Sequence, residues 1–179
     1  DEGAKFDLGG GDVPASGCAG SGDGKGGELE FSYIWIANSA EGTVSKIDTV
    51  SGVEEGRYRT SVEGSDSPSR TSVNQYGAVA VGNRIGGGGV MKIAATEEDC
   101  VEKNGIAGIQ TSTGAGNVLP FLEDECAMWS TPMPIADNGP RAIAWEGGEI
   151  DPDTCENTVP NPRLWVGYGL LFRGDERLL

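Results

Sequence analysis

Apolar and polar positions along the chain fall into short runs divided by glycine-rich or polar turns, a pattern of strands rather than helices. The run Phe31-Ser32-Tyr33-Ile34-Trp35-Ile36-Ala37-Asn38 is rich in β-branched and aromatic residues and ends in a polar turn from Asn38 to Gly42. Thr43 to Thr49 predicts a second strand, although its alternation is imperfect between Val44 and Ile47. After the Ser51-Gly52 turn, Val53 to Thr60 predicts a third strand carrying Tyr58. Three strands joined by such short connections form an antiparallel meander.

The pattern then recurs. Gly77 to Asn83 repeats the first strand, with Asn83 in the place of Asn38, and the Gly86–Gly89 turn leads to Val90-Met91-Lys92-Ile93, which matches Val44-Ser45-Lys46-Ile47. Leu164-Trp165-Val166-Gly167 echoes Ile34-Trp35-Ile36-Ala37 a third time, after the strand-like Arg141-Ala142-Ile143-Ala144-Trp145. A period of about 45 residues with several strands per unit is the signature of propeller blades. The competing reading is a β-sandwich whose strands look alike by chance.

Composition agrees with an all-β class. Thirty of the 179 residues are glycine, which helices tolerate poorly and tight turns tolerate well. The net charge is −15, from 13 basic and 28 acidic residues. Such a surface repels phosphate backbones and anionic lipid, so neither nucleic acid nor a membrane surface is an expected partner. It suits a soluble protein in a salty or extracellular medium, and a sharper reading is affinity for cations such as calcium. The chain holds no histidine, which excludes Ser-His-Asp and Cys-His catalysis and mixed Cys/His zinc sites. Gly86–Gly89 follows a strand, yet no Lys-Ser/Thr comes after it, so it reads as a turn and not a phosphate loop.

Residues 1–27 are rich in glycine and have little to bury, which predicts a flexible tether before a blade domain over 28–179. No apolar run is long enough to cross a membrane as a helix. The chain opens at Asp1 as a processed exported protein would, with room for a lipid anchor upstream. The four cysteines, Cys18, Cys100, Cys126 and Cys155, form an even set without a CxxC pair and read as disulfides of an oxidising compartment. Cys100 and Cys126 flank one non-repetitive segment and are paired with each other; Cys18 with Cys155 follows by elimination. That segment lies in an expected insertion at 96–139.

Trp35-Ile36-Ala37-Asn38-Ser39, then Gly42-Thr43-Val44-Ser45-Lys46-Ile47-Asp48 and Ser51-Gly52, resembles the YVTN or surface-layer type of β-propeller repeat. The match is good over 31–60, fair over 76–95 and faint over 141–169. The stretch from Ser67 through Cys126 also resembles uncharacterised bacterial lipoproteins, some labelled as relatives of virginiamycin B lyase. The resemblance implies antiparallel meander blades, about three of them by length, and hence an incomplete ring. It implies no activity, because that lyase is expected to use a histidine base. Related bacterial sequences carry a DxNxDGxI calcium loop where this chain has residues 102–113. Glu102 and Asn104 hold two ligand positions and Ile109 the apolar anchor, whereas Ile106, Ala107 and Thr113 replace further ligands and a turn glycine.

Glu123-Asp124-Glu125 reads as a solvated acidic turn. Trp35 and Trp165 are expected in the core and Trp129 at the surface. An incomplete ring leaves strand edges, and the apolar run 164–172 is expected to pair with a second chain or with Lys5-Phe6-Asp7-Leu8. The reading that results is an exported, non-catalytic surface binding or scaffold module without a cofactor. The alternatives are a structural subunit of an extracellular assembly or filament, and a lyase or hydrolase that uses carboxylates alone.

Overall fold

The computed structural model describes residues 32–62, 64, 66–85, 89–133, 139–148, 158, 159 and 161–167. The chain divides into two compact units, Asp1–Leu29 with Gly148–Asn161 and Glu30–Gly147 with Pro162–Leu179. Every strand given below belongs to the second unit. The expected tether, the Lys5–Leu8 segment, Cys18, Cys155 and everything after Gly167 lie outside the described residues.

The described residues form antiparallel sheets and no α-helix. The first sheet is β1 (Tyr33–Asn38), β2 (Thr43–Asp48) and β3 (Glu54–Arg59), in that order. The second is β4 (Pro68–Val73), β5 (Val79–Asn83), β6 (Gly89–Ile93) and β7 (Ala127–Pro132). The third pairs β8 (Ala142–Trp145) with β9 (Leu164–Gly167). These strands close no ring. Two of them differ from expectation. The sequence of β4 is polar, and its proline sits at the first position of an edge strand, where no ladder donor is needed. β7 falls inside the expected insertion at 96–139 and completes the second sheet against β6.

Short polar side chains set the hairpins. Asp48 Oδ1 accepts from the Val50 and Ser51 amides, and Asn74 Oδ1 from those of Tyr76 and Ala78, which are Asx-type turns. Gly42 turns from β1 into β2 at φ 64°, and a Cβ there would lie 2.2 Å from the Gly64 carbonyl oxygen. Only glycine fits.

The first two sheets share their register position for position. Trp35 pairs with Lys46 as Ala80 pairs with Lys92; Ala37 pairs with Val44 as Gly82 pairs with Val90; Ile34 pairs with Ile47 as Val79 pairs with Ile93. The irregularity in the next ladder also coincides, between Lys46 and Ile47 in one sheet and between Lys92 and Ile93 in the other. A bulge adds one residue and increases local twist, so its recurrence at one place gives both sheets the same curvature.

The core lies between the first sheet and the second. Trp35, Val44 and Tyr58 of the first meet Val79, Val81, Met91 and Ile93 of the second, with Cys126 and Ala127 at the margin. Alternation along β5 sends Ala80 and Gly82 to the opposite face. There the third sheet packs: a Cβ on Gly82 would lie 2.4 Å from Ile143 Cδ1, and Trp145 Nε1 donates to the Ser72 carbonyl at 2.9 Å. β5 is therefore buried on both faces, and the three sheets stack in chain order.

Candidate functional site

The longest departure from the meander is the connection between β6 and β7, residues 94–126. The Cys100–Cys126 disulfide closes it, as the sequence predicts. Two short 3-10 turns, Glu97–Asp99 and Ala115–Asn117, are its only regular elements. Such a length of irregular backbone must satisfy its amides by other means. Two buried carboxylates supply them.

Asp124 is 3% exposed and Glu125 is 0% exposed, so only Glu123 of the expected solvated acidic turn faces solvent. Asp124 Oδ1 accepts from Thr111 Oγ1 and the Cys126 amide, both at 2.9 Å, and Oδ2 from the Ser112 amide at 2.8 Å. Glu125 Oε1 accepts from the Lys103 amide at 3.0 Å and Oε2 from the Gln110 amide at 2.7 Å. The Lys103 and Gln110 amides hold the Glu125 carboxyl below the usual carboxylate range, against its desolvation. The sequence reading assigns the acidic run to solvent because consecutive carboxylates commonly repel one another into water. In the folded chain all of these donors but the Cys126 amide come from residues 12 to 22 positions earlier, which no local pattern announces.

Lys103 supplies the matching cation. Its ammonium donates to the carbonyls of Leu122 at 3.0 Å, Asp124 at 2.7 Å and Ala127 at 2.6 Å. Desolvation lowers its pKa, and the nearby Asp124 and Glu125 charges oppose that shift. Leu122 sits at φ 60°, a conformation costing roughly 1–2 kcal/mol for an L-residue, and the carbonyl of this left-handed residue is one that Lys103 meets.

The two candidate calcium ligands are engaged with the chain itself. Glu102 Oε1 accepts from the Asn104 amide at 2.7 Å and also from that of Gly105. Asn104 Oδ1 accepts from the Ile106 amide at 2.8 Å, while its Nδ2 donates to Gln110 Oε1. Among the described residues no three acidic, cysteine or histidine side chains converge as a metal site would require. Ile109 packs on the core. A depression of about 380 Å³ beside this turn is lined by Lys103, Asn104, Gln110, Leu119, Leu122 and Glu123.

The loop also covers the free edge of β3. Ser112 Oγ accepts from the Arg57 amide at 3.0 Å, and Glu54 Oε2 accepts from the Ala115 amide at 3.1 Å. Capping an outermost strand in this way removes a template for unwanted pairing. Arg57 is further held by Glu54 and Glu41, each at 2.7 Å. From Val101 to Gly108 every residue is exposed, so a firmly anchored base carries a solvent-facing tip.

The aromatic residues divide differently from expectation. Trp35 is in the core at 6% exposure, with Tyr58 at a ring-centroid distance of 6.0 Å. Trp165, expected to match it, is 63% exposed, and among the described residues no further sheet covers the outer face of β9. It borders a groove of about 510 Å³ that also takes in Arg70, Arg141 and Ile143. Trp129, opposite Lys92 on β7, is exposed, as the sequence predicts.

Chemically, the loop is a self-satisfied network. A general acid at neutral pH needs a raised pKa and access to a substrate; Glu125 has neither, and Asp124 is covered. Among the described residues no helix is long and apolar enough to cross a membrane. No family model, curated protein or solved structure matches the chain.

Proposed function

We propose that the chain is an exported, non-catalytic binding module built of β-propeller-type blades, whose recognition element is the stapled loop between β6 and β7. The observation that carries this reading is the anchoring of that loop. A disulfide, two buried carboxylates and the three carbonyl contacts of the Lys103 ammonium fix its base, and the backbone of residues 101–108 carries exposed side chains above it. Fixing a loop before it meets a partner lowers the ordering cost of association. Val101 and Ile106, 48% and 60% exposed, give the tip an apolar component beside Glu102 and Lys103. The shared register and bulge of the first two sheets support blades of a surface-layer propeller type. The disulfide supports an oxidising compartment.

The test is a pull-down with insoluble cell-wall polysaccharide and peptidoglycan, comparing the native chain with V101S/I106S. Both residues are exposed and leave the anchoring network untouched. Retention of the native chain and its loss in the variant is the expected result. Retention that is the same in both removes the loop from the recognition face. Release of soluble sugar products would replace a binding module with a carboxylate-dependent lyase or hydrolase.

A further inference from the structure

The outer faces of the first and third sheets carry counterparts of some of the residues that meet between the first and second sheets. The shared register gives each position an internal counterpart. Ile34 and Ile36, on the face of the first sheet turned away from the second, correspond to Val79 and Val81. Val79 and Val81 are 0% exposed, packed against Trp35, Val44 and Tyr58, whereas Ile34 and Ile36 are 49% and 41% exposed. At the other end, Trp165 pairs with Ala144 as Ala80 pairs with Ser72, and Ala80 in turn pairs with Lys92 as Trp35 pairs with Lys46, so Trp165 holds the position of Trp35. Trp35 is 6% exposed under the second sheet, and Trp165 is 63% exposed. Ala142, Ala144 and Gly167 share its face, so small residues surround one protruding indole.

The two faces are complementary in the sense that matters for packing. One end presents Ile34, Ile36 and Ile47, counterparts of the Val79, Val81 and Ile93 that pack against Trp35, with Ser45 and the paired Arg57 and Glu54 beside them; the other end presents a tryptophan. We infer that a second copy of this chain mates head to tail, the Ile34/Ile36 face of each copy receiving the Trp165 face of the other. This goes beyond the proposed binding role, and it places the contact on sheet faces instead of the strand edges that the sequence suggests.

Dimensions favour mutual closure over a single contact. Three strands of six residues span roughly 20 Å by 14 Å. One such face is much smaller than the ~800 Å² per partner of a standard stable contact. Two copies of three sheets each make both contacts at once, which turns the second contact into an intramolecular event. The resulting six sheets fall within the four to eight blades of known closed rings. Each contact is heterologous, and a two-fold axis closes the pair.

Sedimentation equilibrium with face variants tests this. The native chain is expected at twice the monomer mass. I34E/I36E and W165E should each sediment as monomers, and a mixture of the two should associate more than either alone but more weakly than the native chain, because only one of the two contacts remains between them. A native chain that stays monomeric up to high concentration overturns the inference. So does a dimer broken by one variant and untouched by the other, which is the mark of like-face pairing. Near-native circular dichroism of both variants separates a lost contact from a lost fold. Failure here leaves the loop-binding test unaffected, since V101S/I106S lies outside both faces.

Discussion

Removing the cross-link by the double substitution Cys100→Ala and Cys126→Ala probes how the long loop is stabilised. The two cysteines are 26 positions apart. Closing a loop of that size in the unfolded chain is worth about 3.5 kcal/mol at 25 °C on the chain-entropy account. Cys126 is 3% exposed and packs with the core, so losing its sulfur leaves a small void that adds roughly 1 kcal/mol. Acting the other way, Asp124, Glu125 and Lys103 still anchor the loop after the bond is gone. The native conformation therefore persists and the effect arises mainly in the unfolded ensemble. The expected loss is about 3–4 kcal/mol, measured by urea unfolding followed through tryptophan fluorescence. The midpoint should fall and the m-value rise, because an unlinked unfolded chain exposes more surface. Genetic removal is needed, since a reductant would also open any bond between Cys18 and Cys155. A loss below about 1 kcal/mol with an unchanged m-value would show that the cross-link does not constrain the unfolded chain as argued.

Further expectations concern single groups. Asp124→Asn places an amide donor where three donors now converge and should cost about 2–3 kcal/mol in the same assay; a neutral result would mean that Asp124 is not the loop's main acceptor. Gly82→Val drives a side chain into Ile143 and should detach the third sheet, seen as greater quenching of Trp145 by acrylamide, with unchanged quenching counting against the stacking. Burial pushes the Tyr58 phenol up to about 12. Its neutral form stabilises the fold below the ordinary tyrosine range, and that contribution is lost as pH climbs from there through 12. A phenolate absorbance titration should show a late component missing in Tyr58→Phe. The amides that lower the pKa of Glu125 (Lys103 first) and of Asp48 (Ser51) make stability fall as pH drops below the normal carboxylate range through the folded values. Glu125→Gln should flatten that acid limb, and an identical limb would locate the proton uptake elsewhere.

Strand composition and turn chemistry are local, and so they were legible in the sequence. β-Branched runs around Ile34 and Val79, and the turns at Asn38–Gly42 and Ser51-Gly52, mark hairpins without reference to the rest of the chain. The cysteine spacing likewise isolates the one non-repetitive loop and its disulfide. β4 and β7 were not legible, because a polar strand and a strand following a long loop lack an apolar run of their own. Their identity as strands comes from the ladders of β5 and β6 beside them. Only the tertiary structure decided where the charges go. Asp124 and Glu125 are buried because the amides of distant residues converge on them, and Lys103 finds three carbonyls that no pattern in its own neighbourhood predicts. Trp35 and Trp165 look alike in sequence, and a neighbouring sheet covers one and not the other. Burial belongs to what packs against a residue, and that is set by the stacking of sheets far apart in the chain.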